Sequence, residues 1–157
     1  MQPFPHLYTA SAHGAPDADV TLTSAGLPAM RTAPPAEFGG PGDRWSPETL
    51  FVASIADCFI LTFRAVAHAS KLPWLSLVCD VDSTLDRVDH VTQFTASTLR
   101  ARLTVPAGTD EAQARRLLEK AERGCLVTNS LKFVPRLEAE VAFAPAAEPV
   151  SAWHQVD

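Results

Sequence analysis

With 157 residues, 46% of them hydrophobic, the chain has the length of one ordinary domain and enough apolar side chain to build a core without disulfide staples. A formal net charge of −5, with 13 Lys and Arg dispersed along the sequence, argues against a nucleic-acid footprint and offers no polybasic patch for anionic lipid. A small soluble ligand is therefore the expected partner.

The opening "MQPFPHLYTASAHG" has neither a basic start nor a continuous apolar run, so a cytoplasmic protein with no leader is expected. Residues 1–33 hold short alternating pieces, "HLYTASAH" and "DADVTLTSA", separated by Gly14 and Pro16; this pattern predicts a hairpin with weak edges. The loop "APPAEFGGPGDRW", Ala33 to Trp45, is rich in proline, which fixes φ, and glycine, which permits what other residues avoid. A long helix then begins. Ser46 suits the N-cap, Pro47 the first helical position and Glu48 the positive end of the dipole, and the helix ends near Lys71, before Pro73. Its residues are apolar nearly all round from Leu50 to Val66, which predicts burial on several sides. Asp57 and Arg64 interrupt it short of the ~20 apolar residues that span a bilayer.

Next, Leu75, Leu77, Cys79, Val81 and Leu85 alternate with Asp80, Asp82, Thr84 and Asp86, the period of a half-buried strand. After the turn "DRVDH", a second strand over residues 92–105 puts Leu99, Ala101, Leu103 and Val105 on one face. Thr109 can cap an amphipathic helix whose apolar positions are Ala114, Leu117, Leu118 and Ala121, stopped by Gly124. A short helix over residues 125–131 and a last strand over 133–143 follow. The whole is one expected α+β domain over 1–157, comprising the hairpin and Pro/Gly loop of 1–45, an antiparallel sheet around a buried helix, and a loose tail from 145. The order is not that of a Rossmann fold, and no G-x-G-x-x-G is present.

The candidate chemistry lies in the cysteines, of which there are 3. An odd number in a reducing compartment is free, metal-bound or catalytic. Cys79 shares a core-facing strand side with Leu77 and Val81 and reads as packing. Cys58 sits inside the apolar helix, with Ser54 one turn before and Thr62 one turn after. Apolar surroundings raise a thiol's pKa, so a reactive Cys58 needs a positive partner, for which Arg31, Arg44 and Arg64 are candidates. Cys125 follows the Gly124 stop, where the start of a new helical turn would favour thiolate. There is no C-x-x-C or H-E-x-x-H, and His6, His13, His68, His90 and His154 are scattered, so no metal is expected.

Together, "SPETLFVASIADCFILTF" and "AERGCLVTNSL" resemble the OsmC/Ohr family of osmotically inducible and organic hydroperoxide resistance proteins. The resemblance implies antiparallel sheets wrapped around long buried central helices in an intertwined homodimer, with active sites at the subunit interface. It also implies a cofactor-free thiol peroxidase in which Cys58 is the peroxidatic cysteine, Cys125 the resolving cysteine and Glu48 the acidic residue of the Pro-Glu motif. The partners implied are an organic hydroperoxide, with a pocket expected at Phe51, Ile55, Phe59 and Leu61, and a dithiol reductant. Two features depart from the family. The arginine that family members place near the cysteine is missing from its usual positions, leaving Arg31 or Arg44, with Arg31 preferred because Arg44 abuts the helix start. The common "GCPV" reads "GCLV" here. The competing readings are a relative that binds a small apolar ligand in the interface cavity and a thiol-based hydrolase.

Overall fold

The computed structural model describes residues 2–145. The expected C-terminal tail lies, but for its first residue, outside them. The chain forms two compact units, Met1–Phe51 and Val52–Asp157.

The first unit holds a three-stranded antiparallel sheet, β1 (Ser11–His13), β2 (Val20–Thr23) and β3 (Met30–Thr32), with Thr21 opposite Arg31. The sequence reading found a hairpin and missed β3, whose three residues are too short to show a period. The Pro/Gly loop contains one 3-10 turn, Ala36–Phe38. Here Gly40 is obligatory on steric grounds, since a Cβ would lie 1.7 Å from the Pro34 carbonyl oxygen.

Helix α1 runs Pro47–Ala69. Its start is as predicted, with a reciprocal cap: the Thr49 N–H donates to Ser46 Oγ at 3.2 Å and the Ser46 N–H donates to Thr49 Oγ1 at 2.8 Å. Burial along α1 is narrower than its composition predicts. Only Ile55, Phe59, Phe63 and Ala67 are buried, a single stripe at i, i+4 spacing, while Leu61 is 48% exposed. By length and composition α1 is also long and apolar enough to cross a membrane, with a mean hydropathy of 1.9, although the sequence reading judged it too interrupted. The fully buried stripe, opposed by the exposed charges Asp57 and Arg64, is the pattern of a core helix.

The second unit is built on β4 (Ser76–Val88), β5 (Val91–Val105) and β6 (Arg136–Phe143), with α2 (Glu111–Gly124) between the last two. β4 and β5 form a long hairpin turning at Asp89 and His90, both at positive φ. Its inner face is the predicted one: Leu99, Ala101, Leu103 and Val105 are buried. Its outer face carries ion pairs, Arg100 to Asp82 and Glu138, and Arg102 to Asp80. One correction concerns strand direction. β6 pairs parallel to β5, so this sheet is mixed rather than antiparallel. The reason is the helix between them, since a crossover returns the chain to the end from which β5 started. α2 buries Ala114, Leu117, Leu118 and Ala121 as predicted, but its N-cap is Asp110, which accepts from the Gln113 N–H at 3.1 Å. Thr109 instead donates its hydroxyl to the Pro106 carbonyl at 2.8 Å, closing the preceding turn.

A candidate two-thiol site

Cys58 and Cys125 are brought together within the second unit. Cys58, half-buried in the middle of α1, receives hydrogen bonds at its sulfur from the Val127 N–H, the Cys125 thiol, the Thr62 hydroxyl and the Leu126 N–H. Burial alone disfavours a charged sulfur and is the largest single influence. The four donors outweigh it together and hold Cys58 below the ordinary thiol range.

Cys125 behaves oppositely. It is fully buried and its pKa is raised, first by burial and also by the neighbouring Cys58 sulfur, against the pull of the Thr128 N–H and hydroxyl. The expectation of a thiolate-favouring helix start at Cys125 is therefore corrected. Cys125 is the C-cap of α2, its N–H donating to the Glu122 carbonyl at 3.2 Å, and the end of a helix carries the negative pole. The amides following it serve Cys58 instead. Thr128 braces the turn, its hydroxyl donating to the Cys125 carbonyl at 3.1 Å. Gly124 lies against α1 near the two sulfurs: a Cβ there would meet Thr62 Cγ2 at 3.4 Å, a close van der Waals contact.

Cys79 stands apart from this chemistry. Paired with Ala101 on the hairpin, it is pushed up to about 11 by burial above all, with Asp80 and Cys125 adding to the shift.

The other predicted site residues are placed as follows. Arg31 and Arg44 converge on one carboxylate of the first unit, Asp19, at 2.9 and 3.3 Å, and Arg44 also pairs with Asp43 at 2.8 Å. Glu48 carries a buried Oε2 with no hydrogen-bond partner among the described residues. Of the expected pocket residues, Ile55 and Phe59 are fully buried, so they present no surface in the single chain; Phe51 is half-buried and Leu61 exposed. Among the described residues no group of three His, Cys, Asp or Glu is placed to hold a metal ion.

The sequence reading missed the Leu126 and Val127 amides and Thr128. Main-chain donors leave no side-chain signature. The available signal was the helix stop at Gly124 followed three residues later by the short polar turn "TNS".

The fold and the thiol pair define an α+β protein with one cysteine on a long apolar helix and a second cysteine in the turn after a crossover helix. A family profile described as OsmC-like protein matches residues 40–140. The organic hydroperoxide resistance protein of Xanthomonas axonopodis pv. citri is 31% identical over 128 residues, 80% of this chain and 88% of that protein. An OsmC-like protein of unknown function from Vibrio cholerae shares the fold at a TM-score of 0.78 and 17% identity, covering 86% of this chain and 99% of its own. An organic hydroperoxide resistance protein OsmC from Legionella pneumophila matches at 0.70 and 27% identity, covering 89% and 99%. The chain belongs to the OsmC family.

Proposed function

We propose that the protein is a two-cysteine peroxidase that reduces organic hydroperoxides to alcohols. One observation carries this reading: two thiols joined by a hydrogen bond, with opposite protonation tendencies. The thiolate is the nucleophile, while a thiol that keeps its proton is suited to wait for the second step. The Cys58 thiolate attacks the outer peroxide oxygen, the O–O bond breaks, and the alkoxide takes a proton and leaves as alcohol. Sulfur is oxidised to sulfenic acid as the peroxide is reduced. The Cys125 sulfur then displaces water from that sulfenic acid, giving a disulfide that an external dithiol reopens by two exchange steps. Such chemistry belongs in a reducing compartment such as the cytoplasm.

Leu61, one turn beyond Cys58, and Leu126, beside its sulfur, are both exposed, at 48% and 73%. They give the thiolate an apolar approach that favours organic peroxides. In a homodimer, Glu48 and either Arg31 or Arg44 of one chain are proposed to orient the peroxide at Cys58 of the other. In a peroxide-consumption assay recycled by dithiothreitol or lipoamide, kcat/KM for cumene hydroperoxide is expected to exceed that for hydrogen peroxide by about tenfold or more, the worth of one or two buried methylenes. Equal values would remove the apolar approach, and no turnover with either would remove the peroxidase.

The assembly is proposed to be a homodimer. α1 leaves Phe51, Val52, Ile60 and Val66 only half-buried and Leu61 exposed, and Leu75 and Val78 are 58% and 45% exposed, surface that a second chain would remove from water. Light scattering at micromolar concentration should give twice the chain mass of 16.9 kDa; a monomer mass would contradict it.

A further inference from the structure

We propose that Asp19 is a positioning residue that joins Arg31 and Arg44 into one unit, and that Arg31 is the member of that unit which meets a ligand. This assignment deepens the peroxidase function and rests on its placement of one chain's arginine at Cys58 of the other, and the arms of the test below let the two fail separately.

Strand geometry brings the three side chains together. Asp19 stands one residue before β2 and two before Thr21, which lies opposite Arg31. Alternation puts Asp19 and Arg31 on one face as diagonal neighbours, within reach of a long side chain. A parallel bridge pairs Thr32 with Trp45, and the Ala33 N–H donates to the Trp45 carbonyl at 3.0 Å. Arg31 and Arg44, each one residue before the bridge, are therefore neighbours too. Adjacent guanidinium groups repel, and a single atom, Asp19 Oδ2, offsets both charges: it lies 2.9 Å from Arg31 Nη2 and 3.3 Å from Arg44 Nε. Among the described residues Asp19 is the one ion-pair partner of Arg31.

The two arginines differ in what remains to them. Arg44 is also held by Asp43, whose carboxylate lies 2.8 Å from Nη1 and whose carbonyl accepts from the same nitrogen at 3.2 Å. It stands just before the Ser46 cap of α1, where the positive end of the helix disfavours a cation and a second carboxylate offsets the cost. Arg31 has only its share of Asp19, and its side chain is 69% exposed against 38% for Arg44. The other N–H donors of its fork are left for a ligand.

The test is the ratio of Cys58 alkylation rates by iodoacetate and iodoacetamide in the full-length protein, read by mass spectrometry at the Cys58 peptide. Both reagents react with the thiolate, so its ionised fraction cancels and the ratio reports the cation that an anionic reagent meets beside the sulfur. Arg31→Gln should lower the ratio about fivefold, the effect of one charge about 4 Å away in water, and Arg44→Gln should lower it less. Asp19→Asn and Asp43→Asn each remove one negative charge, so charge alone predicts that both raise the ratio. Positioning predicts opposite signs: Asp43→Asn raises it, whereas Asp19→Asn lowers it because Arg31 loses its anchor. Asp19→Glu, which keeps the carboxylate, should restore most of that loss. An unmoved ratio in Arg31→Gln would overturn this assignment together with the arginine's place at Cys58. A fall in Arg31→Gln beside an unmoved or raised ratio in Asp19→Asn would overturn the role of Asp19 alone. Should Asp19→Asn fail to fold, the arginine variants decide, and an Arg44→Gln ratio as low as that of Arg31→Gln would overturn the proposal.

Discussion

Cys58→Ser is expected to lower hydroperoxide turnover by roughly a thousandfold or more while leaving the fold intact. The hydroxyl is nearly isosteric with the thiol, and the donors around it, from Thr62, Cys125, Leu126 and Val127, can bond to oxygen as to sulfur. What is lost is the anion. A serine hydroxyl does not ionise near neutral pH, so the cradle has no charge to hold and the peroxide meets no nucleophile. Cys125→Ser should fail one step later, accumulating sulfenic acid on Cys58 that dimedone captures. If Cys58→Ser retained turnover and Cys125→Ser lost it, the two roles would be exchanged.

Phe63→Ala is expected to cost about 3–5 kcal/mol of folding stability, read as a lower denaturant midpoint. Phe63 is fully buried in the middle of the α1 stripe, and its ring meets Trp74 edge-on at a centroid distance of 5.5 Å and an interplanar angle of 83°. Truncation leaves a ring-sized cavity and an unpartnered indole face. A loss of that size is a large part of the ~5–15 kcal/mol that holds a domain together. Leu61→Ala on the exposed side of the same helix should cost far less in the single chain, so the pair of variants separates core from surface. Equal losses at the two positions would show that the stripe is not what anchors α1.

Much of the frame could be read from residue types. Ser46, Pro47 and Glu48 mark the start of α1 because capping and dipole preferences are local. The buried faces of β5 and α2 follow from periods of two and 3.6. The misreadings come from properties that periodicity does not encode. The direction of β6 depends on what connects it to β5.

At the site, the two cysteines were identified from the motifs that contain them, but the donors around Cys58 were not. A reading confined to side chains looks for a cation near Cys58 and reaches Arg31 and Arg44, which the structure places on Asp19. Two of the four donors that bear on the sulfur are main-chain amides of the turn after α2. Cys125 was assigned to the wrong end of a helix for the same reason: Gly124 signals a stop, yet the residue after it still belongs to the helix it ends.

The most direct test of the thiol-pair chemistry is peptide mapping after prereduced protein meets one equivalent of cumene hydroperoxide, with free thiols blocked before digestion. The expected result is one intramolecular disulfide joining the Cys58 and Cys125 peptides, with Cys79 recovered fully alkylated. Three alkylated cysteines, or a disulfide that includes Cys79 in place of Cys125, would contradict it.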